Sequence, residues 1–222
     1  MEILKRELIT TEDGSHTLYL PELNEHYHSI HGAVQESILV FIRNGLAFCK
    51  EDPADIFEIG FGTGLNALLS CIHCTDNKRK VNYFSIEKYP LDNSIINSLN
   101  HSGFAGENGG QIFKKIQNSG WGKMEVINDY FSLKKIELDL TKEIPEGKYH
   151  IIYFDAFGPD KQAEMWTPEI FEKIASIALP GGILVTYSAK GDVKRALKLN
   201  GFKVELLPGP PGKREMIRAI KM

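Results

Sequence analysis

Residues 55–69 read DIFEIGFGTGLNALL: an apolar run, glycines at 60, 62 and 64, then a second apolar run. A short apolar run that stops at glycine reads as a buried strand, and the longer run after Gly64 reads as a helix. Strand, glycine turn and helix open a βαβ unit, and the pattern continues on both sides. Downstream, 81–88 (VNYFSIEK), 131–138 (FSLKKIEL), 149–157 (YHIIYFDAF) and 181–188 (GGILVTYS) read as strands. Residues 65–73, 92–100, 168–178 and 192–200 read as helices, the last closed by Gly201. Residues 101–110 (HSGFAGENGG) read as a polar loop, and 202–207 (FKVELL) and 214–220 (REMIRAI) as a final strand pair joined by PGPPGK. Upstream, 32–48 reads as a helix with Val34, Ile38, Phe41, Ile42 and Leu46 along one face, and 8–21 as a hairpin turning at Asp13-Gly14. Alternating strands and helices predict an α/β fold. The expected sheet is mostly parallel and seven-stranded, with helices on both faces and a C-terminal antiparallel hairpin. The expected domain runs over 31–222, behind a small N-terminal β-hairpin appendage at 1–30.

Composition fits one globular domain: 222 residues, 42% hydrophobic and 25% charged. No apolar run approaches the roughly 20 residues of a membrane helix, and the first residues, MEILKRELITTEDG, lack the apolar centre of a secretory signal. Three cysteines, an odd number, argue against a disulfide framework and for a reducing, cytoplasmic setting. The net charge of −3 hides an asymmetry, because residues 181–222 hold nine Lys or Arg against three Asp or Glu. A surplus of six on one segment either marks a surface for a polyanion or is a solvated basic helix and edge strand.

In a parallel sheet the C-terminal ends of the strands share one edge, and ligands bind there. That edge holds Gly60–Gly64, Glu87, Asp139, Asp155 and Ser188; the PGPPGK loop, with Lys213 and Arg214, should join it if the first strand of the final pair runs with its neighbours. The loop lacks the Gly-Lys-Ser/Thr of a phosphate cradle. It also lacks the third glycine of a dinucleotide fingerprint, since Leu65 stands there. Its spacing is G-x-G-x-G, with Glu58 two residues before the first glycine. Glu87 ends the next strand and can accept both ribose hydroxyls of a nucleoside; Asp139 ends a later one and can receive an adenine amino group. A nucleoside without phosphates, carrying a cationic sulfonium beside several acids, is S-adenosyl-L-methionine. On this reading Glu58, Gly60, Phe61, Gly62, Thr63, Gly64, Asn66, Glu87 and Asp139 surround the cofactor. NAD, or a glycine turn that merely closes a packed βα unit, is the competing reading.

Asp155 ends an apolar strand and precedes Ala-Phe-Gly-Pro. A carboxylate at that mouth can orient an amine acceptor and take its proton; the alternative is a turn cap. Trp166 either stacks on a flat base or packs beneath the helix that starts near Pro168. His26, His28 and His31 have metal-like spacing without a supporting acid or cysteine nearby, and methyl transfer to an amine requires no metal. Cys71-Ile-His-Cys74 lacks a second pair, so packed thiols are the plain reading.

Six segments then carry a resemblance: YHSIHGAVQES (27–37), EIGFGTGLNAL (58–68), SIEKYPL (85–91), FDAFGPDKQAEMW (154–166), PGGILVTYSAKGDVKRALKLNGF (180–202) and GPPGKREM (209–216). Together they resemble the methyltransferase domain of the bacterial tRNA 5-aminomethyl-2-thiouridine methyltransferases, which modify the wobble uridine. The resemblance runs from about Tyr27 to the end. It implies a class I, Rossmann-like, S-adenosylmethionine-dependent fold and the conversion of 5-aminomethyl-(2-thio)uridine to its methylaminomethyl form in the tRNA anticodon. It implies that Gly60, Gly62, Gly64 and Glu87 hold the cofactor and that Asp155 sits beside the amine. It favours contact of Lys213 and Arg214 with tRNA; the basic surplus adds Lys190, Lys194 and Arg195 to that surface. There are two departures. Many members are fused to an FAD-dependent oxidase, for which 222 residues leave no room, so the aminomethyl substrate would come from a separate oxidase or another enzyme. Gly158 stands where many members carry Ala. Two alternatives remain open here: a small-molecule amine N-methyltransferase, and a non-catalytic tRNA- or protein-binding module on the same fold.

Overall fold

The computed structural model describes residues 5–222. In chain order the elements are β1 (Glu7–Thr10), β2 (His16–Leu20), β3 (Glu25–His26), α1 (Ala33–Ser37), β4 (Ala54–Ile59), α2 (Leu65–Asp76), β5 (Val81–Glu87) and α3 (Asn93–Ile96). They continue with α4 (Gly109–Asn118), β6 (Met124–Asn128), β7 (Phe131–Glu137), β8 (Tyr149–Phe154), α5 (Pro168–Ile177), β9 (Ala178–Thr186), α6 (Gly191–Leu199), β10 (Phe202–Pro208) and β11 (Glu215–Lys221). Strands β1–β3 form a small antiparallel sheet, and the others an eight-stranded sheet of order β10-β11-β9-β8-β4-β5-β7-β6.

The five central strands are parallel. Of these, β4, β8 and the end of β9 are buried nearly continuously, as strands covered on both faces are, whereas β5 and β7 alternate. Ile56, Tyr83 and Tyr153 face α2 and the stretch after α1, where Leu68, Phe41 and Leu46 pack; Phe57, Ile152 and Phe154 face α5 and α6, where Phe171, Ile174 and Leu197 pack. From β4 the chain moves outward to β5 and β7, then returns to β8 on the other side of β4. That reversal opens a crevice at the C-terminal ends of β4 and β8, where α/β sheets bind ligands.

The structure departs from the sequence reading in four places. The sheet has eight strands where seven were expected. The extra strand, β6, pairs antiparallel with β7 at the sheet edge; Met124 and Val126 are exposed, so no alternating buried face betrays it. Helix α4 was not foreseen: Gly109-Gly110, which open it, fall in the stretch read as loop, and the rest was left unassigned although Ile112, Phe113 and Ile116 are buried at helical spacing. The helix read over 92–100 is one turn, α3, followed by a 3₁₀ turn at His101–Phe104. The helix read over 32–48 is present, but after α1 it continues as a wider π-helical stretch, Ile38–Leu46. Its apolar residues therefore divide between two clusters, Val34 and Ile42 against Leu65 and Leu69, and Phe41 and Leu46 against the central sheet.

The N-terminal sheet docks on the domain. Leu18 and Leu20 are buried, and Leu18 shares the core of Phe41. The His16 amide donates to Asn100 Oδ1 at 2.8 Å, and Asn100 Nδ2 donates to the Gly14 carbonyl at 2.9 Å. Strand β10 runs antiparallel to β11 and hence in the same sense as β9, although it touches only β11. The 209–214 loop accordingly reaches the crevice edge. Among the described residues, no helix is long and apolar enough to cross a membrane.

Candidate active site

The crevice begins at Gly60. Its φ of +94° suits glycine, and a Cβ there would stand 2.7 Å from the Asp155 carbonyl oxygen. The loop then turns so that the Gly62 amide donates to Glu87 Oε2 at 3.0 Å, while the Tyr89 amide donates to Oε1 at 2.8 Å. Two backbone donors fix the Glu87 carboxylate, and each oxygen keeps further acceptor capacity. Asn66, in the first turn of α2, donates from Nδ2 to Asp155 Oδ2 at 2.8 Å. Gly60, Phe61, Gly62, Asn66, Glu87, Asp139 and Asp155 all line one cleft of about 540 Å³. That volume suits a nucleoside-sized ligand.

The far wall of the cleft is polar and buried. Glu36 of α1 is 6% exposed; it accepts the Ser29 amide at 2.8 Å and forms an ion pair with Lys213. The Lys213 ammonium also lies 4.2 Å from the Tyr187 ring centroid, and the Tyr187 hydroxyl donates to the Ala156 carbonyl at 2.8 Å. Burial pushes Asp155 up to about 7, and the Glu36 charge adds to this, against the Asn66 hydrogen bond and the Lys213 charge. Asp139 is held down to about 2, chiefly by the Thr141 hydroxyl and then by Lys88, 3.0 Å away. The two acids differ as bases. Asp139 stays ionised, whereas Asp155 can gain and lose a proton near neutral pH.

The family model for S-adenosyl-L-methionine-dependent methyltransferases matches residues 109–222. The chain belongs to that family. Its cofactor is therefore S-adenosyl-L-methionine. The crystal structure of MNMC2 from Aquifex aeolicus is similar, with a TM-score of 0.80 at 27% identity, over 98% of this chain and 70% of that one. Spermidine synthase from Thermotoga maritima, at 12% identity and a TM-score of 0.57 over 99% of this chain and 70% of that one, shares the fold. The tRNA 5-methylaminomethyl-2-thiouridine biosynthesis bifunctional protein MnmC of Nitrosospira multiformis is 31% identical over 90% of this chain and 35% of its own length. The same-named protein of Cupriavidus necator is 30% identical over 89% of this chain and 32% of its own. The chain thus spans about a third of the length of these curated relatives.

Several residues expected at the site lie elsewhere. Glu58 is fully buried beneath the glycine loop, where it accepts the Ser85 hydroxyl at 2.6 Å. The Thr63 hydroxyl turns to His101 at 3.1 Å and His28 at 3.4 Å, away from the cleft. Gly64 is packed, since a Cβ there would meet Gln117 and Phe61. Trp166 is a core residue: its indole donates to the Phe157 carbonyl at 2.7 Å and its ring packs on Phe154 and Phe171. It supports the cleft wall at Phe157 without entering the cleft.

Of the five basic residues expected to face tRNA, only Lys213 lines the cleft. Lys190 pairs with Asp160 and Arg195 with Asp192. Arg214 is exposed and Lys194 half-buried, and among the described residues neither makes an ion pair. The three histidines do not converge. His26 packs on Tyr19, His28 lies half-buried between Thr17 and Thr63 with its pKa lowered to about 4 by desolvation, and His31 pairs with Glu12. Cys71 and Cys74 are buried free thiols, pushed up to about 12 by burial.

Glu36, Tyr187 and Tyr27 were missed. The stretch around Glu36, HGAVQES, carries no local signal that sets this acid apart.

Proposed function

We propose that this chain is an N-methyltransferase acting on 5-aminomethyl-(2-thio)uridine at the wobble position of tRNA, giving the methylaminomethyl form. The observation that carries the reading is Asp155: a half-buried carboxyl lining the cleft, at the end of the strand that meets the glycine loop, held by Asn66 and pushed by desolvation up to about 7. The names of the relatives supply the substrate, and the similarity extends along most of this chain.

The cleft suits the cofactor. Its acids complement a sulfonium, and Glu87 retains lone pairs for two ribose hydroxyls. Asn66 Oδ1 is buried with no partner among the described residues, so a ligand donor reaching it would be welcome. S-adenosylmethionine supplies an electrophilic methyl group. The residues of this chain do the rest. Glu87 and the Gly60–Gly62 backbone hold the nucleoside, and Asp139 faces its base. Asp155 attracts the substrate ammonium, aligns it, and accepts the proton that nitrogen must lose to expose its lone pair. Lys190, Lys194, Arg195 and Arg214, around the same edge, meet the anticodon phosphates.

An FAD-dependent oxidase is the class of activity that fits as the source of the aminomethyl substrate, and the cytoplasm the compartment that fits both. The decisive experiment incubates the protein with labelled S-adenosylmethionine and tRNA from cells lacking the activity, then identifies the nucleoside. Label in methylaminomethyluridine is the expected result. Label on free amines, with none in tRNA, would instead make this a small-molecule N-methyltransferase.

A further inference from the structure

Five buried side-chain polar atoms among the described residues lack a hydrogen-bond partner, and three of them gather beneath the glycine loop: Glu58 Oε1, Asn66 Oδ1 and Tyr83 Oη. Glu58 is the centre of this group. It lies on β4 opposite Ser85 of β5 and Tyr153 of β8, on the side facing α2, with no exposure to solvent. Ser85 donates to Oε2, while Asn66 and Tyr83 are neighbours whose oxygens make no hydrogen bond to Oε1. Asn66 is also the residue that holds Asp155. One side-chain amide thus bonds Asp155 through its nitrogen and leaves its buried oxygen unpaired beside Glu58. The titratable groups facing Glu58 are Tyr83, Tyr153 and Asp155.

An ionised Glu58 would put an anion in the core with one oxygen unpaired, beside a second acid. Like charges at that spacing cannot both ionise cheaply. A proton on Oε1 changes the inventory. With Glu58 ionised, the three unpaired atoms share one donor proton, that of the Tyr83 hydroxyl; a proton on Oε1 adds a second, so that Asn66 Oδ1, which can only accept, can gain a partner. We propose that Glu58 is the neutral member of an Asn66-bridged carboxyl pair and is a positioning residue, fixing Asn66 so that Asp155 is the member that ionises. The second half rests on the role given to Asp155 above. Burial, and then the Asp155 charge, push Glu58 up to about 8, in the same direction as the geometry.

The test uses protein without ligands. Glu58 is raised from 4.5 in the unfolded chain, so between there and about 8 the folded state keeps a proton that the unfolded state has lost. Its contribution to stability is lost as pH rises through that window, at about tenfold in the folding constant per pH unit. Urea unfolding from pH 5 to 8 should therefore be less pH-dependent in E58Q than in wild type by about that slope. In turnover, E58A should lose at least about tenfold in kcat/KM and E58Q should recover most of it, with the rise of rate with pH preserved. Should E58Q fail to fold, isotope-labelled glutamate in wild-type protein gives the answer: one carboxyl should titrate well above all others. A wild-type pH slope in E58Q, no high-titrating glutamate, or an E58Q as inactive as E58A would each overturn the proposal. A flattened slope in E58Q together with normal turnover in D155N would leave the proton on Glu58 standing and remove the role of Asp155 instead.

Discussion

Asp155→Asn keeps the shape of the side chain and an oxygen for the Asn66 amide, while removing charge and basicity. The expected loss in kcat/KM is about 10²–10⁴-fold, the usual worth of a positioned base, with cofactor affinity measured by calorimetry changing far less. The pH dependence has a definite sign. Asp155 is raised to about 7, so wild-type kcat/KM should fall as pH drops through that value, and the Asn variant should lose that limb. Stability runs the other way. The folded state keeps a proton that the unfolded chain releases near 3.8, so this contribution disappears as pH rises from there to about 7. At pH 8 the Asn variant should therefore unfold at higher urea than wild type. Glu87→Ala should weaken S-adenosylmethionine binding by about 1.5–3 kcal/mol through lost charge-assisted hydrogen bonds, and unchanged affinity would remove Glu87 from the cofactor site. Asp155 was legible because a carboxylate at the end of an apolar strand stands out. Glu58 was misread because sequence spacing gives proximity to a loop but not the side of the sheet. Its position between Ser85 and Tyr153 on the α2 face appears only once strands are paired.

Among elements, the contact between the start of α1 and the 209–214 loop joins residues 177 positions apart. No local pattern reveals such a pair, which is why Lys213 read as a phosphate contact and Glu36 as nothing in particular. Breaking it should cost more than a surface ion pair, because Glu36 is 7% exposed at the side chain and Lys213 34%. Lys213→Ala should destabilise by about 1–3 kcal/mol, between the exposed and fully buried cases, and adding Glu36→Gln should return part of it in a double-mutant cycle. Simple additivity would show that the pair is incidental. Arg214, exposed on the same loop, should behave differently. Its Ala variant should fold normally, bind tRNA less tightly, and lower the salt slope by about one unit if it makes one phosphate contact. The element boundaries that sequence reading lost, α4 and β6, share a cause: one opens with two glycines, and the other is an edge strand with little to bury.

At the scale of the molecule, the parallel core was legible because strands covered on both faces must be apolar throughout. The partner surface was not, because charge counts ignore neighbours. Four of the nine basic residues of 181–222 pair with acids, Lys190 with Asp160, Arg195 with Asp192, Lys213 with Glu36 and Arg218 with Glu205. The docking of β1–β3 over the crevice bears on synthesis as well. These strands are made before Asn100, on which they rest, and Glu36 behind them waits for Lys213. Contacts of such long sequence separation form late. A nascent chain halted before residue 209 should thus display a folded central sheet, measurable by protease resistance of its core, while the segment around Glu36 stays more open to cleavage. The cleft wall at Glu36 is closed only when the loop joining β10 to β11 emerges, so the finished site depends on a contact made late in synthesis.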